Sequence, residues 1–253
     1  MSDYTQLQNT QVDSNEDQSF AAEEFFSKQW QIYQKVLNNN YMYHQEIYHV
    51  LQELLQNYFD QPFTMLELGC GDARFTTQAL LNTKIAQYTA IDVSIPALQD
   101  AEKNLAKINC PANFITGDCW QLTDELAANH DQKFDVILIS LALHHLQLEE
   151  KDHIIYQLKT MLNSGGIFIL IDVTRKEHED RNTYLKRYMS NVAKYWNLLT
   201  PEEYTMFNNH ICSSDFPETA TTLKAISDKH GFSNFSSIYC DPLEINQLLC
   251  FYK

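Results

Sequence analysis

Two helical stripes, followed by an alternation of short apolar runs and amphipathic stretches, organise this chain. Phe26, Trp30, Tyr33 and Leu37 fall at i, i+4, i+7 and i+11, and Tyr43, Ile47, Val50, Leu51, Leu54, Leu55 and Tyr58 draw a second stripe. The spacing predicts two amphipathic helices with NNNYMY as the turn between them. Five apolar segments follow: FTMLEL from Phe63, YTAID from Tyr88, NFIT from Asn113, FDVILIS from Phe134 and SGGIFILIDV from Ser164. FDVILIS is continuously apolar at its centre, as a strand covered on both faces requires. Between the runs, Ser94 is placed to cap a helix that turns Leu98, Ala101, Leu105 and Ile108 to the sheet, and Gln147 to Leu162 reads as another helix before the Gly165-Gly166 turn. Strand alternating with helix predicts a parallel sheet with helices on both faces.

Beyond Val173 the periodicity lengthens. A helical stretch runs from about Glu177 to Leu198, Thr200-Pro201-Glu202-Glu203 has the form of a capping box with Pro at the first helical position, and a helix from about Phe216 to His230 stops at Gly231. SNFSSIYC and INQLLCFYK read as two final strands. The polar residues 1–18 are expected to be disordered, and residues 19–253 form a single domain: a helical cap at 19–60, a core at 61–173, and lid helices with the last strands at 174–253. A chain of 253 residues, 44% hydrophobic, can bury a core of that size.

The chemistry concentrates where the first apolar run ends, in LELGCGD. Glu67, Gly69 and Gly71 occupy a strand exit at which glycine allows positive φ and close approach of the main chain to a ligand. A dinucleotide fingerprint would need a third glycine where Arg74 stands, which disfavours an NAD-linked oxidoreductase. The order acid-x-Gly-x-Gly, with Ala73 at the third glycine of the pattern, instead resembles the first motif of the class I S-adenosylmethionine-dependent methyltransferases. Asp92 ends the next strand about 20 residues on, where a carboxylate can accept both ribose hydroxyls, and Asp118 resembles the family's acid that accepts from the adenine amino group. Each acid also has a plainer role as a helix cap or turn residue.

The resemblance covers Phe63 to Val173. It implies a Rossmann-like, doubly wound α/β fold with a seven-stranded sheet, mostly parallel with an antiparallel last strand, and S-adenosyl-L-methionine as cofactor, held by Glu67, Gly69, Gly71, Asp92, Asp118, Cys119 and Ser140. Glu67 commonly stands behind such sites rather than in them. On the acceptor side, LALHHL follows the fourth strand at the end of the sheet where ligands bind in open α/β folds. His145 resembles, by its place, the histidine that phosphobase-type methyltransferases pair with an N-terminal tyrosine, which makes Tyr41 its partner in catalysis. The alternative is a local hydrogen bond from His145 to backbone, with His144 facing the pocket instead. Tyr43, His44, His144, Arg175 and Arg181 are the candidate substrate contacts, the arginines for a carboxylate or phosphate.

Charge narrows the acceptor. Eighteen Lys and Arg against 33 Asp and Glu give a net charge of −15, which repels phosphate backbones and argues against a nucleic-acid partner. The expected acceptor is a small molecule, methylated at O or N. A tRNA or protein methyltransferase and a non-catalytic S-adenosylmethionine sensor are the alternatives. Six cysteines without CxxC spacing read as reduced thiols of a cytoplasmic protein. No apolar run is long enough for a membrane span, and no HxxxH or HExxH pattern joins the nine histidines, so no metal is expected. Nothing in the sequence sets an oligomeric state.

Overall fold

The computed structural model describes residues 32–129 and 132–253. The polar segment 1–18, Phe26 and Trp30 lie outside the described residues. Helical residues 32–38 (α1) and helix α2 (His44–Tyr58) stand on either side of the predicted turn. Asn40 adopts a left-handed φ of 51° there, and its side-chain oxygen accepts from the Gln45 amide at 3.0 Å. Asparagine tolerates that conformation and caps the helix that follows.

Strands and helices then alternate: β1 (Phe63–Leu68), α3 (Arg74–Leu80), β2 (Ile85–Asp92), α4 (Ile95–Leu105), β3 (Ala112–Thr116), α5 (Cys119–Ala128), β4 (Phe134–Ser140), a 3₁₀ turn (Leu143–His145), α6 (Leu148–Met161) and β5 (Leu162–Val173). Helices α7 (Arg181–Tyr195), α8 (Pro201–Ser214) and α9 (Ala220–Lys229) precede β6 (Asn234–Cys240) and β7 (Asn246–Tyr252). The sheet has seven strands in the order β3-β2-β1-β4-β5-β7-β6. The first five pair in parallel, and β7 lies antiparallel between β5 and β6. This is the doubly wound sheet with an antiparallel extension that the sequence predicts. Because β1 is flanked by β2 and β4, the chain reverses direction across the sheet there, and the crevice at the carboxyl ends of β1 and β4 is where open α/β sheets bind ligands.

Both faces of the sheet are covered. Met65, Val136, Leu138, Ile167 and Ile169 pack under Ile47, Leu51 and Leu55 of α2 and Ala101 and Leu105 of α4. Leu66, Leu68, Ile137, Ile139 and Phe168 pack under Ile154, Ile155 and Leu158 of α6 and Leu223 of α9. Each large aliphatic side chain so buried contributes about 1.5–3 kcal/mol. A third cluster joins Val36 and Met42 to Tyr184, Tyr188 and Val192 of α7, Trp196 just beyond it and Ile211 of α8. The predicted N-terminal cap therefore divides: α2 belongs to the core layer, and α1 joins the lid helices.

Two helix boundaries after β5 differ from the sequence reading. The helix expected over 177–198 is shortened to Arg181–Tyr195, with Asp180 capping it by accepting from the Thr183 amide. The helix expected from Phe216 begins at Ala220, because residues 215–219 are extended and Thr219 pairs with Arg175 as an isolated bridge. The Thr200 capping box is present, with Pro201 in the first turn and Glu203 reaching back to the Thr200 amide.

Candidate functional site

The turn after β1 is built from residues with left-handed backbones. Gly69, Gly71 and Ala73 have φ of 71°, 53° and 47°. Glycine takes these angles freely, whereas Ala73 pays the steric cost of its Cβ to open α3. A Cβ placed on Gly71 would meet nothing within 4 Å, so the main chain at this point faces open space. The Gly71 amide donates to Asp92 Oδ2 at 2.8 Å, and the Ser94 amide donates to Asp92 Oδ1 at 2.9 Å. One carboxylate thus ties the glycine turn to the start of α4. It retains lone pairs for further donors, since an ionised carboxylate offers about four acceptor sites. The Gly117 amide bonds the Asp92 carbonyl at 3.0 Å, which brings the exit of β3 to the same place.

Glu67 stands behind this cradle. It is 1% exposed, accepts from Thr76 Oγ1 at 2.7 Å, and accepts from the Tyr88 hydroxyl. Burial pushes its pKa up to about 7 against the lowering effect of both hydrogen bonds. A carboxyl whose folded pKa lies above its ordinary value near 4.5 stabilises the fold most at low pH, and that contribution is lost as pH rises from about 4.5 through about 7. The stability of the wild type relative to Glu67→Gln is therefore expected to fall across this window, by up to about 3 kcal/mol. Urea midpoints at the two ends of the window measure it, and parallel pH profiles would show that folding leaves the Glu67 pKa unshifted.

Arg74, the residue that replaces the dinucleotide glycine, reaches away from the turn to α1. Its guanidinium donates to Asn38 Oδ1 at 3.1 Å and lies over the Phe75 ring, fastening α1 above the cradle. Asp118 caps α5, its Oδ1 accepting from the Trp120 amide at 2.8 Å and the Gln121 amide at 3.3 Å. The role as a cap is therefore real, and Oδ2 is left for a ligand. Half-buried Cys119 follows, its thiol pushed up to about 12 by burial, so it is a neutral apolar wall. Ser140, at the end of β4, accepts from the Tyr48 hydroxyl at 2.8 Å.

A cavity of about 220 Å³ lies between α1 and α8, lined by Ile32, Tyr33, Val36, Met42, Met206, Phe207 and His210. Its walls are almost wholly apolar. At its far side His210 meets the His145 ring edge-on at 5.6 Å.

The histidines after β4 separate into two environments. His144 is buried, with Nδ1 at 2.5 Å from Asp172 Oδ1 and its backbone amide donating to Asp172 Oδ2. Burial alone would lower its pKa, but contact with Asp172 outweighs this and leaves it raised. His145 Nδ1 lies 3.0 Å from the Ser214 carbonyl, the local backbone bond weighed from the sequence. Burial and the neighbouring His144 hold its pKa down at about 4, so the ring is neutral near pH 7. Tyr41 has other partners: its hydroxyl donates to Asn197 Oδ1 and accepts from the Leu198 amide, and its ring stacks on Trp196 at 5.2 Å. The structure thus ties Tyr41 to the α7–α8 junction and His145 to the end of α8.

The other acceptor-side candidates are similarly placed by their own neighbours. Tyr43 is half-buried with a left-handed φ of 57°. His44 is buried against Phe75, its pKa pushed down to about 4 by burial, and neither ring nitrogen has a partner among the described residues. Arg175 spends its donors on the Pro217 and Glu179 carbonyls and on Glu218. Arg181 donates to the Asp215 and Cys212 carbonyls. Both arginines therefore hold the 215–218 segment in place. The sequence reading missed Asp172 and Asp215. Asp172 sits in a strand run whose apolar neighbours hide it, and Asp215 lies 70 residues from the histidines it approaches.

A family model described as a methyltransferase domain matches residues 66–168. The malonyl-[acyl-carrier protein] O-methyltransferase of Halalkalibacterium halodurans is 26% identical over 147 residues, 58% of this chain and 52% of that protein. An uncharacterized methyltransferase of Staphylococcus carnosus is 28% identical over 150 residues, 57% of this chain and 64% of the relative. The chain thus spans about half to two-thirds of the length of these two curated relatives. Among solved structures, the plantazolicin methyltransferase BpumL, in complex with a triazolic desmethylPZN analog and SAH, superposes with a TM-score of 0.61 at 17% identity, covering 92% of this chain and 94% of that one. An O-methyltransferase family protein from Burkholderia thailandensis gives 0.60 at 16% identity, covering 85% of this chain and 57% of that one. The glycine turn, the acid at the end of β2 and this strand order agree with the methyltransferase domain model that matches residues 66–168.

Proposed function

We propose that this protein transfers a methyl group from S-adenosyl-L-methionine to an oxygen or nitrogen of a small, largely apolar molecule. The observation that carries the reading is the bond from the Gly71 amide to Asp92, which sets a positive-φ turn and a ribose-binding carboxylate side by side at the switch point of the sheet. Gly69 and Gly71 let the main chain approach the ligand, Asp92 accepts from the ribose, and Asp118 and Cys119 border the adenine. Glu67 acts through Tyr88 and Thr76 and positions the turn. The cofactor, when bound, supplies an activated methyl carbon on a sulfonium.

What remains for the chain is positioning and exclusion of water. The cavity between α1 and α8 is the acceptor site that fits this reading, with Tyr33 and Phe207 as walls and the turn Leu143–His145 beyond His210. Its apolar lining favours a small acceptor over a charged polymer, and the net charge of −15 supports the same choice. A neutral His145 can accept a proton when the acceptor is a hydroxyl or an ammonium. We assign Tyr41 to holding the lid. No described helix is long and apolar enough to cross a membrane, and six free thiols support a reducing, cytoplasmic setting.

Incubation with methyl-labelled cofactor and separate metabolite, tRNA and protein fractions tests this. Label is expected in the metabolite fraction alone. Transfer to tRNA or protein would replace the small-molecule reading, and cofactor binding without transfer to any fraction would support the sensor.

A further inference from the structure

Asp215 is 1% exposed, and neither of its carboxylate oxygens has a hydrogen-bond partner among the described residues. A buried carboxylate without a partner is costly, and such groups are ordinarily paired or bound to a cation. Two ring nitrogens face it: His144 Nε2 and His145 Nδ1 each lie 3.6 Å from Asp215 Oδ1. That is too long for a hydrogen bond. Two ligands each about 2 Å from one tetrahedral ion would stand about 3.3 Å apart. One ligand atom from each of the three residues lies within 4.8 Å of the others.

The environment prepares the donors. Asp172 engages His144 at Nδ1, which directs the lone pair of Nε2 toward Asp215. A carboxylate on the far nitrogen of a histidine is the usual arrangement behind a metal ligand, because it fixes the tautomer and raises basicity. The His145 nitrogen near Asp215 is the Nδ1 that also lies 3.0 Å from the Ser214 carbonyl, so an ion bound there takes the place of that hydrogen bond and makes the ring a ligand rather than a proton acceptor. Without a cation, the His144 lone pair and the Asp215 carboxylate would face each other with a proton as their only means of relief.

We propose that His144, His145 and Asp215 form a binding site for one divalent transition cation of the Zn²⁺ type. Two imidazoles and one carboxylate suit Zn²⁺, Fe²⁺ or Co²⁺ and not Mg²⁺ or Ca²⁺, which take oxygen ligands. Three protein ligands leave a coordination position open, as at catalytic rather than structural zinc sites. The site differs from the sequence expectation of no metal because its third ligand comes from a segment that only the fold brings near. Binding of the ion does not depend on the methyl-transfer reading. Only its placement beside the acceptor cavity, across His210, rests on that reading.

Titration of the full chain, freed of metal by a chelator, with Co²⁺ tests the site directly. The expected result is visible ligand-field absorption that saturates at one ion per chain and is displaced by Zn²⁺. Zn²⁺ should also raise the melting temperature, since it binds the folded form. Asp215→Asn should abolish the absorption, and Asp172→Asn should weaken binding about 10- to 100-fold. If Asp215→Asn does not fold, His145→Ala takes its place with the same expectation. A wild-type protein that shows no saturable Co²⁺ spectrum overturns the proposal and leaves a proton shared between His144 and Asp215. An unchanged spectrum in folded Asp215→Asn overturns it equally, whatever the protein methylates.

Discussion

Asp92→Ala is expected to weaken binding of S-adenosylmethionine and of its demethylated product by roughly 100-fold. Two losses combine. The ribose hydroxyls lose a charged acceptor, and hydrogen bonds to charged groups are worth about 1.5–3 kcal/mol each. The Gly71 and Ser94 amides, at 2.8 and 2.9 Å from that carboxylate, lose theirs as well, so the glycine turn is no longer tied to α4. Asp92→Asn should fall between the two proteins, because one amide oxygen can serve one backbone donor while its NH₂ faces the other. Calorimetric titration of both ligands measures the effect, and far-ultraviolet circular dichroism checks the fold. Wild-type affinity in folded Asp92→Ala would remove the ribose assignment and with it the proposed function.

The glycine turn and the acid at the end of β2 were legible in the sequence because their signals are local. Positive φ selects glycine, a strand end selects the position of an acid, and both occur at spacings fixed by one strand–helix–strand unit. The same locality explains why Ser94 and the Thr200 capping box were read correctly, since each satisfies amides within three residues. The acceptor side obeys no such rule. Arg175 and Arg181 looked like anion contacts because a sequence does not show that the carbonyls of 212 to 217 are waiting for them. Residues 216–219 fell within the helix expected from Phe216, because the bridge from Thr219 to Arg175 that holds them extended is a long-range event. Tyr41 and His145 were paired by analogy, and each found a nearer partner in a lid whose packing no periodicity encodes.

Lys151→Ala is expected to cost about 3–5 kcal/mol of unfolding free energy, a second effect hidden from the sequence. LEEKDHIIYQL places Lys151 among charged residues, where a lysine ordinarily reaches solvent. In the structure its side chain is 1% exposed. Its ammonium donates to the Phe216 carbonyl and lies 3.4 Å from Glu218, which Arg175 also engages at 2.9 Å. Burial draws the Lys151 pKa down, so the folded state holds the charge only by virtue of these acceptors. Truncation leaves a cavity, a carbonyl without its donor and a carboxylate with half its counter-charge. Lys151→Met keeps most of the volume and should recover part of the loss, leaving roughly 1–3 kcal/mol for the unpaired polar groups. The position matters for function because residues 215–218 carry Asp215 and close on His144 through the Phe216 amide at 2.7 Å. Lys151→Met should therefore lower turnover while leaving cofactor affinity near that of the wild type, as the glycine turn lies on other strands. Denaturant titration and calorimetry separate the two readouts. A Lys151→Ala protein as stable as the wild type would show that the buried charge contributes nothing to holding this segment.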